Sequence, residues 1–447
     1  MEGELSQVGQ NQDELRLNTM RKEELNPSPE YTTRNTCRVC PDVRLEPVLS
    51  LGEITLPGWK KDPVDGVKVP LELCRCPDCT LVQLKHTTRP DLLYNSEYGY
   101  KSGVNQTMRD HLTGIVGEIE GIVPLGEGDI VVDIGCNDGT LLDAYNYLTV
   151  NRVGFDPSRN VLIEAAGLLK DYGAENFQLF NGFFRKEPFE RRFGTQKAKV
   201  VTAISMFYDL EDPNKFVADV KAILDGNGVF VIQQNYVLGM LEQGAFDNIC
   251  HEHLEYYSLT SLENLLRRHG LEVFNVSEHD LNGGSFKTLV RHIGSRVGGE
   301  PNGNLNRLRQ IEERVLTDGR VYQDFAMRTR DRVRALREFV ETEVAKGKTF
   351  HVYGASTRGN TLLQATGLDH TLIAGAAERN PGKYGTYTAG TKIPVVSEDQ
   401  ARNAKPDYFL VLPWFFKDEF VAREQEFIKG GGRLVFPLPR LEVIGNG

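Results

Sequence analysis

The sequence has no run of about 18 consecutive apolar residues, the minimum for a membrane-spanning helix. Its first residues, MEGELSQVGQNQDEL, contain no apolar segment of the kind found in a secretory signal peptide. We find no internal repeat and no low-complexity tract. These absences argue against a membrane protein, a secreted precursor and a repeat array. We expect a cytoplasmic protein whose seven cysteines are reduced.

An excess of positive charge is also lacking, since the formal net charge is -10. A broad nucleic-acid-binding face is therefore disfavoured, although a local basic pocket is compatible with this balance. Apolar residues make up 40% and charged residues 26% of the 447 residues, which is ordinary for a globular chain of two or three domains. The polar residues 1–36 predict a disordered tail.

Five of the seven cysteines lie close together near the start of the chain. Cys37 and Cys40 form one CxxC pair, and Cys76 and Cys79 form a second about thirty-five residues later. Two such pairs in a reduced compartment favour a four-cysteine zinc site over inert buried thiols. Four protein ligands leave no open position, so we expect a structural ion that contributes folding energy to a small module. Cys74 points away from this set and is not expected to be a ligand.

Alternating strand and helix patterns begin near residue 127 and predict a doubly wound α/β sheet. Buried-strand runs occur at 129–134, 152–155, 177–180, 199–205 and 228–234. Asp212 and Pro213 predict the start of the helix before the last strand.

The turn after the first of these strands has glycine spacing typical of a nucleotide-type cofactor site. It contains Asp133, Gly135 and Gly139, and Asp156 at the end of the next strand suits a ribose diol. A dinucleotide would favour GxGxxG. An acid at the strand end suits the cationic sulfonium of S-adenosylmethionine better than a pyrophosphate, so the pattern favours that cofactor; a structural glycine-rich turn is the alternative. The predicted cofactor-binding residues are Asp133, Gly135, Asn137, Gly139, Asp156, Asn181 and Ser205.

A second α/β pattern follows a long charged helical stretch at 305–345. A strand at 349–353 ends in the turn GASTRGN, which opens a helix. A Gly/Ser/Thr turn at a helix N-terminus can hold a phosphate, and Arg358, Arg379 and Lys383 could add positive charge. A structural turn with solvated cations is the alternative.

Histidine is scarce, with nine in the chain, yet HEHLEYYSL at 251–259 holds two of them. A metal site, an acid/base site and a polar strand end before a helix are all compatible with this run. Thr260 and Glu263 predict a capping box for that helix. The zinc-protease spacing HExxH is absent, which argues against a catalytic metal.

Several segments together resemble the sugar C-methyltransferase family, three-domain enzymes that methylate a carbon of a nucleotide-linked keto-deoxysugar. The resemblance runs from about Cys37 to Pro439 and leaves the first 36 residues outside. The segments are CPDCTLVQL (76–84), YGYKSGVNQTM (98–108), VVDIGCNDGTLL (131–142), HEHLEYYSL (251–259), NGGSFK (282–287), YGASTRGNTLLQ (353–364), AERNPGKYG (377–385) and PDYFLVLPWFF (406–416).

The resemblance implies an α/β fold with a central Rossmann-like class I methyltransferase domain, flanked by a small zinc-binding module and a C-terminal Rossmann-like α/β domain. We place the zinc module at 37–95, the methyltransferase domain at 96–300 and the nucleotide-sugar-binding domain at 301–447. The expected partner is a nucleotide sugar, with no nucleic acid and no membrane, and the expected state is a monomer or a weak homo-oligomer.

Family membership also implies a mechanism, in which a base removes a proton next to a ketone and the enolate takes the methyl group. His253 would be the base, Glu252 would orient it or help protonate, and Tyr100 or Tyr98 would hydrogen-bond the sugar. No metal is needed for this step. The substrate-binding residues implied are Ser285, Lys287, Tyr353, Ser356, Arg358, Asn360 and Arg379.

The chain departs from the family pattern at positions expected to face the sugar. Cys250 stands where some members have tyrosine, and Tyr208 with Asp209, and Asn282, stand where some have histidine. These differences leave the sugar and the methylated atom open. O- or N-methylation of a related small molecule is therefore an alternative function, and a binding protein without chemistry is a more distant one.

Overall fold

The N-terminal module is built from short strands around the paired cysteines. The computed structural model describes residues 29–94, 101–173, 176–279 and 283–445. The elements of the module are β1 (Tyr31–Thr33), β2 (Glu46–Thr55), β3 (Trp59–Lys60), β4 (Lys68–Arg75), β5 (Val82–Leu84), β6 (His86–Thr88) and the short helix α1 (Pro90–Leu93). Strands β2, β4 and β5 form an antiparallel sheet, with Leu73 opposite both Leu49 and Leu84.

The predicted disordered tail is wrong at its C-terminal end. Strand β1 pairs antiparallel with β6, and Tyr31 faces Thr88. The Tyr31 ring also packs edge-on against the His86 ring, with centroids 5.1 Å apart. The strand partner lies more than fifty residues away in the sequence, so the local polarity of this segment carried no signal for it. Residues 1–28 lie outside the described residues.

The central domain is a seven-stranded sheet in the order β13-β14-β11-β10-β7-β8-β9, in which β7 to β11 run parallel. Its parallel strands are apolar runs buried on both faces, as in IVVDI of β7. The elements are α2 (Gln106–Ile122), β7 (Ile130–Ile134), α3 (Thr140–Asp143), β8 (Asn151–Asp156), α4 (Arg159–Leu169), β9 (Phe177–Asn181), α5 (Lys186–Phe193), β10 (Ala198–Ile204), α6 (Pro213–Ile223), β11 (Leu224–Asn235), α7 (Val237–Gln243), β12 (Glu255–Tyr256), α8 (Leu259–Arg268), β13 (Leu271–His279) and β14 (Ser285–His292).

The strand order reverses between β7 and β10, which opens a crevice at the carboxyl ends of these two strands. Helix α6 begins as predicted, because the Asp212 side chain accepts a hydrogen bond from the Lys215 N–H and Pro213 occupies the first turn. The predicted capping box of α8 is wrong. Ser258 caps this helix and pairs with Ser261, while Thr260 donates to Glu312 instead.

The C-terminal domain is a six-stranded sheet in the order β18-β16-β15-β19-β20-β21. The charged stretch predicted to be helical at 305–345 forms two helices, separated at residues 317–319. The elements are α9 (Gly303–Leu316), α10 (Arg320–Ala345), β15 (Phe350–Tyr353), α11 (Thr357–Thr366), β16 (Gly375–Glu378), β17 (Tyr387–Thr388), β18 (Val395–Ser397), α12 (Glu398–Asn403), β19 (Tyr408–Val411), α13 (Lys417–Arg423), α14 (Gln425–Lys429), β20 (Arg433–Phe436) and β21 (Glu442–Ile444).

Two strand pairings tie the N-terminal module to the other domains. Strand β12 follows the HEH run and joins the module sheet, with Glu255 opposite Gln83 of β5. Strand β17 of the C-terminal domain pairs with β3, with Thr388 opposite Trp59. The limits that we predict for the three domains stay predictions. Among the described residues, no helix is long and apolar enough to cross a membrane.

Candidate active site

The glycine turn after β7 has a backbone that few side chains tolerate. Gly135, Asn137 and Gly139 all have positive φ, at 73°, 51° and 83°. A Cβ on Gly135 would lie 2.8 Å from Cγ of Met206, and a Cβ on Gly139 would lie 3.1 Å from Cβ of Ala165. The turn therefore needs glycine for two reasons: Gly135 leaves room at the crevice, and Gly139 lets α3 pack closely on α4.

A cavity of about 1010 Å³, including its open mouth, lies beside this turn. Among the predicted cofactor-binding residues, Asp133, Gly135, Asn137, Asp156 and Ser205 line it. Gly139 and Asn181 are not among its lining residues, since Gly139 packs on α4 and the Asn181 amide donates to the carbonyls of Asp156 and Pro157. The structure thus brings five of the seven residues to one surface.

Two of the three acids that line the cavity, Asp133 and Asp156, are held by specific hydrogen bonds. One carboxylate oxygen of Asp156 accepts from the Asn137 N–H at 3.0 Å and the other accepts from the Ser158 N–H at 2.8 Å. Asp133 accepts from the Thr202 hydroxyl at 2.5 Å. Burial raises the pKa of Asp133 to about 7, and the nearby charge of Asp156 adds to the rise. A cation bound in the cavity would relieve this repulsion.

The four paired cysteines of the N-terminal module converge on one point. The sulfur atoms of Cys37, Cys40, Cys76 and Cys79 all lie within 4.8 Å of one another, and all four residues are buried. The Cys37 and Cys79 sulfurs are 3.7 Å apart. Ligands on a tetrahedral zinc ion with Zn–S bonds of about 2.3 Å would be about 3.8 Å apart, so this thiol set fits the ion. Cys74 is buried but lies outside the cluster.

The two histidines of the HEH run point to different places. His251 is buried, and its Nε2 lies 3.0 Å from the carbonyl oxygen of Val69 in the N-terminal module. The Nδ1 of His253 lies 3.0 Å from the Asn248 carbonyl oxygen. Because a carbonyl oxygen only accepts, His253 Nδ1 carries the proton and Nε2 keeps a lone pair. His251 is therefore structural, whereas His253 presents a proton acceptor.

His253 is connected to the cavity through Tyr208 and Asp209. The Tyr208 ring packs edge-on against the imidazole, with centroids 4.5 Å apart, and the next residue, Asp209, lines the cavity. Burial lowers the pKa of His253 to about 4, and the positive charge of Arg358 lowers it further. Burial raises the pKa of Glu252 to about 7, against a smaller opposing effect of the Thr357 hydroxyl. Tyr98 and Tyr100 lie outside the described residues.

The turn before α11 reaches this site from the C-terminal domain. Nε and Nη2 of Arg358 donate to Oδ2 of Asp247, at 3.1 and 2.8 Å, and the Trp414 indole donates to the same oxygen. Asp247 is buried. This buried ion pair, which sequence spacing did not indicate, fixes a cation beside His253.

A smaller cleft of about 270 Å³, including the open solvent at its mouth, lies at the N-terminus of α11. Ser356 and Asn360 line it together with Trp59 of the N-terminal module. Ser356 caps α11 by accepting from the Gly359 N–H. The Lys383 ammonium lies 3.9 Å from the centre of the Trp59 ring and donates to the Ala355 carbonyl. Trp59 and the α11 N-terminus thus line one cleft, and Lys383, which also pairs with Glu378, lies against the Trp59 ring without being among the lining residues.

The remaining predicted substrate residues lie elsewhere. Tyr353 is buried against Phe409, with ring centroids 4.2 Å apart. Lys287 pairs with Glu118 of α2, and Ser285 is buried at the start of the same strand, β14. Arg379 is 59% exposed and pairs with Glu398 and Glu419. Neither described cleft includes these four residues among its lining, and their role in binding stays a prediction.

Matches to known protein families extend over most of the chain. Family models match at residues 37–94 (a zinc binding domain), 108–276 (a methyltransferase domain) and 280–439 (a C-methyltransferase C-terminal domain). C-methyltransferase NovU of Streptomyces niveus is 34% identical over 415 residues, which cover 91% of this chain and 96% of NovU. The chain belongs to the C-methyltransferase family. The assignment and the seven-stranded α/β sheet confirm the predicted resemblance, the predicted fold class and the prediction of an S-adenosylmethionine-dependent enzyme.

Other similarities to this C-methyltransferase are partial. The tRNA U34 carboxymethyltransferase of Campylobacter jejuni is 28% identical over 160 residues, which cover 33% of this chain and 50% of the relative. Magnesium protoporphyrin IX methyltransferase of Synechocystis, solved with bound SAH, is 15% identical and covers 43% of this chain and 90% of its own, with a TM-score of 0.33. CcbJ methyltransferase of Streptomyces caelestis is 14% identical, with 40% and 89% covered and a TM-score of 0.33. The family assignment rests on the full-length relative.

Proposed function

We propose that this C-methyltransferase acts on a nucleotide-linked keto-deoxysugar and that His253 removes the proton next to the ketone. The observation that carries the proposal is the orientation of His253. Its Nδ1–H is bound to the Asn248 carbonyl, so that Nε2 is the basic nitrogen, and the imidazole packs against Tyr208, whose neighbour Asp209 lines the cavity. Carbon next to a ketone becomes nucleophilic only after it loses a proton, which is the step that a buried neutral imidazole can perform.

The residues of the large cavity fit the methyl donor. S-adenosylmethionine supplies an electrophilic methyl group on a sulfonium. Asp156 would accept hydrogen bonds from its ribose hydroxyls, and Asp133 and the Gly135 turn would hold its cationic part. Ser205, with φ of 56°, follows the end of β10 and lines the same cavity.

The cleft at α11 supports a nucleotide as the second half of the substrate. Trp59 offers a face on which a base can stack, and the α11 N-terminus with Lys383 suits a diphosphate. The cleft and the HEH run are linked by the first residues of α11, because Thr357 lines the cleft and contacts Glu252, and the charge of Arg358 acts on His253. We infer that one substrate spans both, with its sugar at His253.

We further propose that Cys37, Cys40, Cys76 and Cys79 hold a structural zinc ion. Their four thiolates would fill all positions of a tetrahedral ion, and the reaction needs no metal. This thiol set functions only when reduced, which supports a cytoplasmic location.

The test of the proposed reaction is a panel of nucleotide-linked keto-deoxysugars in D₂O. With the methyl donor present, we expect a mass gain of one methylene on a carbon of one sugar. Without the donor, we expect deuterium to enter only the position next to the ketone. Methylation of an oxygen or nitrogen, or no exchange with any ketone of the panel, would contradict the proposal.

The pH profile checks the state of His253. Because burial lowers its pKa to about 4, the imidazole is neutral and able to accept a proton at every pH above that value. We expect protonation of His253 to cause no decrease in kcat/KM as the pH is lowered from about 7.5 to about 5.5. Protonation of an unperturbed histidine, with a pKa of about 6.5, would lower kcat/KM about tenfold over this range. A decrease in kcat/KM centred near pH 6.5 that persists in Glu252→Gln, which removes the neighbouring group with a pKa of about 7, would show that His253 is solvated.

Binding of the methyl donor checks the glycine turn. In Gly135→Ala, positive φ and the approach of the new methyl to Met206 should weaken S-adenosylhomocysteine binding about tenfold or more, measured by titration calorimetry. Gly114→Ala in α2 is the matched control, since its Cβ meets nothing within 4 Å and alanine favours a helix. Equal affinities of the two variants would mean that the turn does not form the donor site.

A further inference from the structure

Asp209 connects the large cavity beside the glycine turn to the residues around His253, which are Tyr208 and Glu252. It ends the 3-10 turn Phe207–Asp209 that follows β10 and lines the cavity. Its neighbour Tyr208 packs on His253, and Glu252 is close enough for its charge to act on Asp209. Asp209 therefore lies where the methyl donor, the base and the reacting carbon have to meet.

The surroundings of Asp209 favour its neutral form. Burial raises the pKa of this carboxyl well above its ordinary value, and the charges of Glu252 and Glu255 add to the rise. The Tyr94 hydroxyl opposes it, and Cys250 and Tyr256 also face the group. Among the described residues, Oδ1 of Asp209 is buried and has no hydrogen-bond partner. One oxygen is thus available to a ligand.

The negative charge that develops on the substrate during the reaction needs a hydrogen-bond donor next to it. When Nε2 of His253 takes the proton from carbon, the electron pair of the C–H bond becomes the enolate, and its negative charge lies largely on the former ketone oxygen. A neutral carboxylic acid in a dry site donates a strong hydrogen bond to such an oxygen. The imidazole of His253 cannot do so, because it is occupied with the proton from carbon.

We propose that Asp209 is a catalytic residue that donates a hydrogen bond from its carboxylic acid to the enolate oxygen of the substrate. This role rests on the proposed function. The Asp209 proton is not consumed: the bond strengthens as the enolate forms and weakens when the carbon takes the methyl group and the carbonyl returns. The imidazolium of His253 then releases its proton to solvent.

Two variants of Asp209 distinguish the effect of its hydrogen-bond donor from the effects of its charge and its shape. Exchange of the carbon-bound proton is followed in D₂O without methyl donor, and kcat and KM are measured with it. We expect Asp209→Leu to slow exchange and kcat about 10²-fold or more, with little change in KM, since one such donor is typically worth 10²–10³ in rate. Asp209→Asn keeps an N–H donor and should retain activity to within about tenfold of the wild type.

The matched control is Asp219→Asn in α6, a buried carboxyl that pairs with Lys215 away from the cavity. It should leave exchange unchanged, and thermal melts identify any variant that fails to fold. Exchange at the wild-type rate in Asp209→Leu overturns the inference, as does an Asp209→Asn enzyme as slow as Asp209→Leu, which would show that the negative charge matters. If the wild type itself exchanges no proton with any ketone, the proposed function fails and this role fails with it.

Discussion

A His253→Ala enzyme is expected to exchange the proton next to the substrate ketone about 10² to 10⁴ times more slowly than the wild type. The reason is geometric: Nε2 of His253 is the basic nitrogen, since Nδ1 is committed to the Asn248 carbonyl. The fall should be equal for exchange and for methylation, because both require the same deprotonation. Affinity for S-adenosylhomocysteine should stay within about twofold, since His253 is not part of the cavity lining.

The control for this variant is His292→Ala, at the end of β14, whose ring lies 3.4 Å from the Leu224 carbonyl. It should exchange at the wild-type rate. Added imidazole should restore part of the exchange in His253→Ala, because the deletion leaves space beside the Tyr208 ring. Wild-type exchange in His253→Ala would assign the base to another group, with Glu252 the nearest alternative.

Loss of one zinc ligand is expected to have the largest effect on stability. A Cys79→Ser protein should lose its bound zinc and melt at a much lower temperature than the wild type, because structural zinc contributes about 10–16 kcal/mol of apparent binding free energy in small modules. Chelation of the wild type with EDTA should have the same effect. Metal content by mass spectrometry and thermal melts by circular dichroism measure both changes.

Cys74→Ser is the matched control for the zinc prediction. Cys74 is buried in strand β4, two residues before Cys76, yet it lies outside the four-cysteine cluster. It should keep one zinc ion per chain and lose only the stability of a packed thiol. Retention of zinc by Cys79→Ser would show that the cluster is not a metal site.

Local spacing predicted the parts of this protein whose chemistry is local. The CxxC pairs, the turn from Asp133 to Gly139 and the cap at Asp212 each depend on residues a few positions apart. The five parallel strands of the central sheet could be predicted from alternating apolar runs and helices, because burial on both faces leaves a continuous pattern, whereas the antiparallel strands β13 and β14 were not predicted.

Contacts between distant segments could not be predicted in this way. The Asp247–Arg358 pair joins residues more than a hundred positions apart, and Asp209 approaches Glu252 only in the folded chain. The start of α8 shows the same limit on a small scale. Thr260 and Glu263 had the spacing of a capping box, but the buried carboxylate of Glu312 binds the first N–H groups of the helix and Ser258 becomes the cap.

The pairing of β5 with β12 has a consequence for synthesis of the chain. The N-terminal sheet has its outer strand supplied by residues 255–256, so it keeps an open edge until more than 170 further residues have left the ribosome. A fragment ending near residue 95 would expose that edge and should self-associate even when loaded with metal. The four cysteines of the module are thus complete early in synthesis, whereas closure of the first sheet waits for the segment that follows His253.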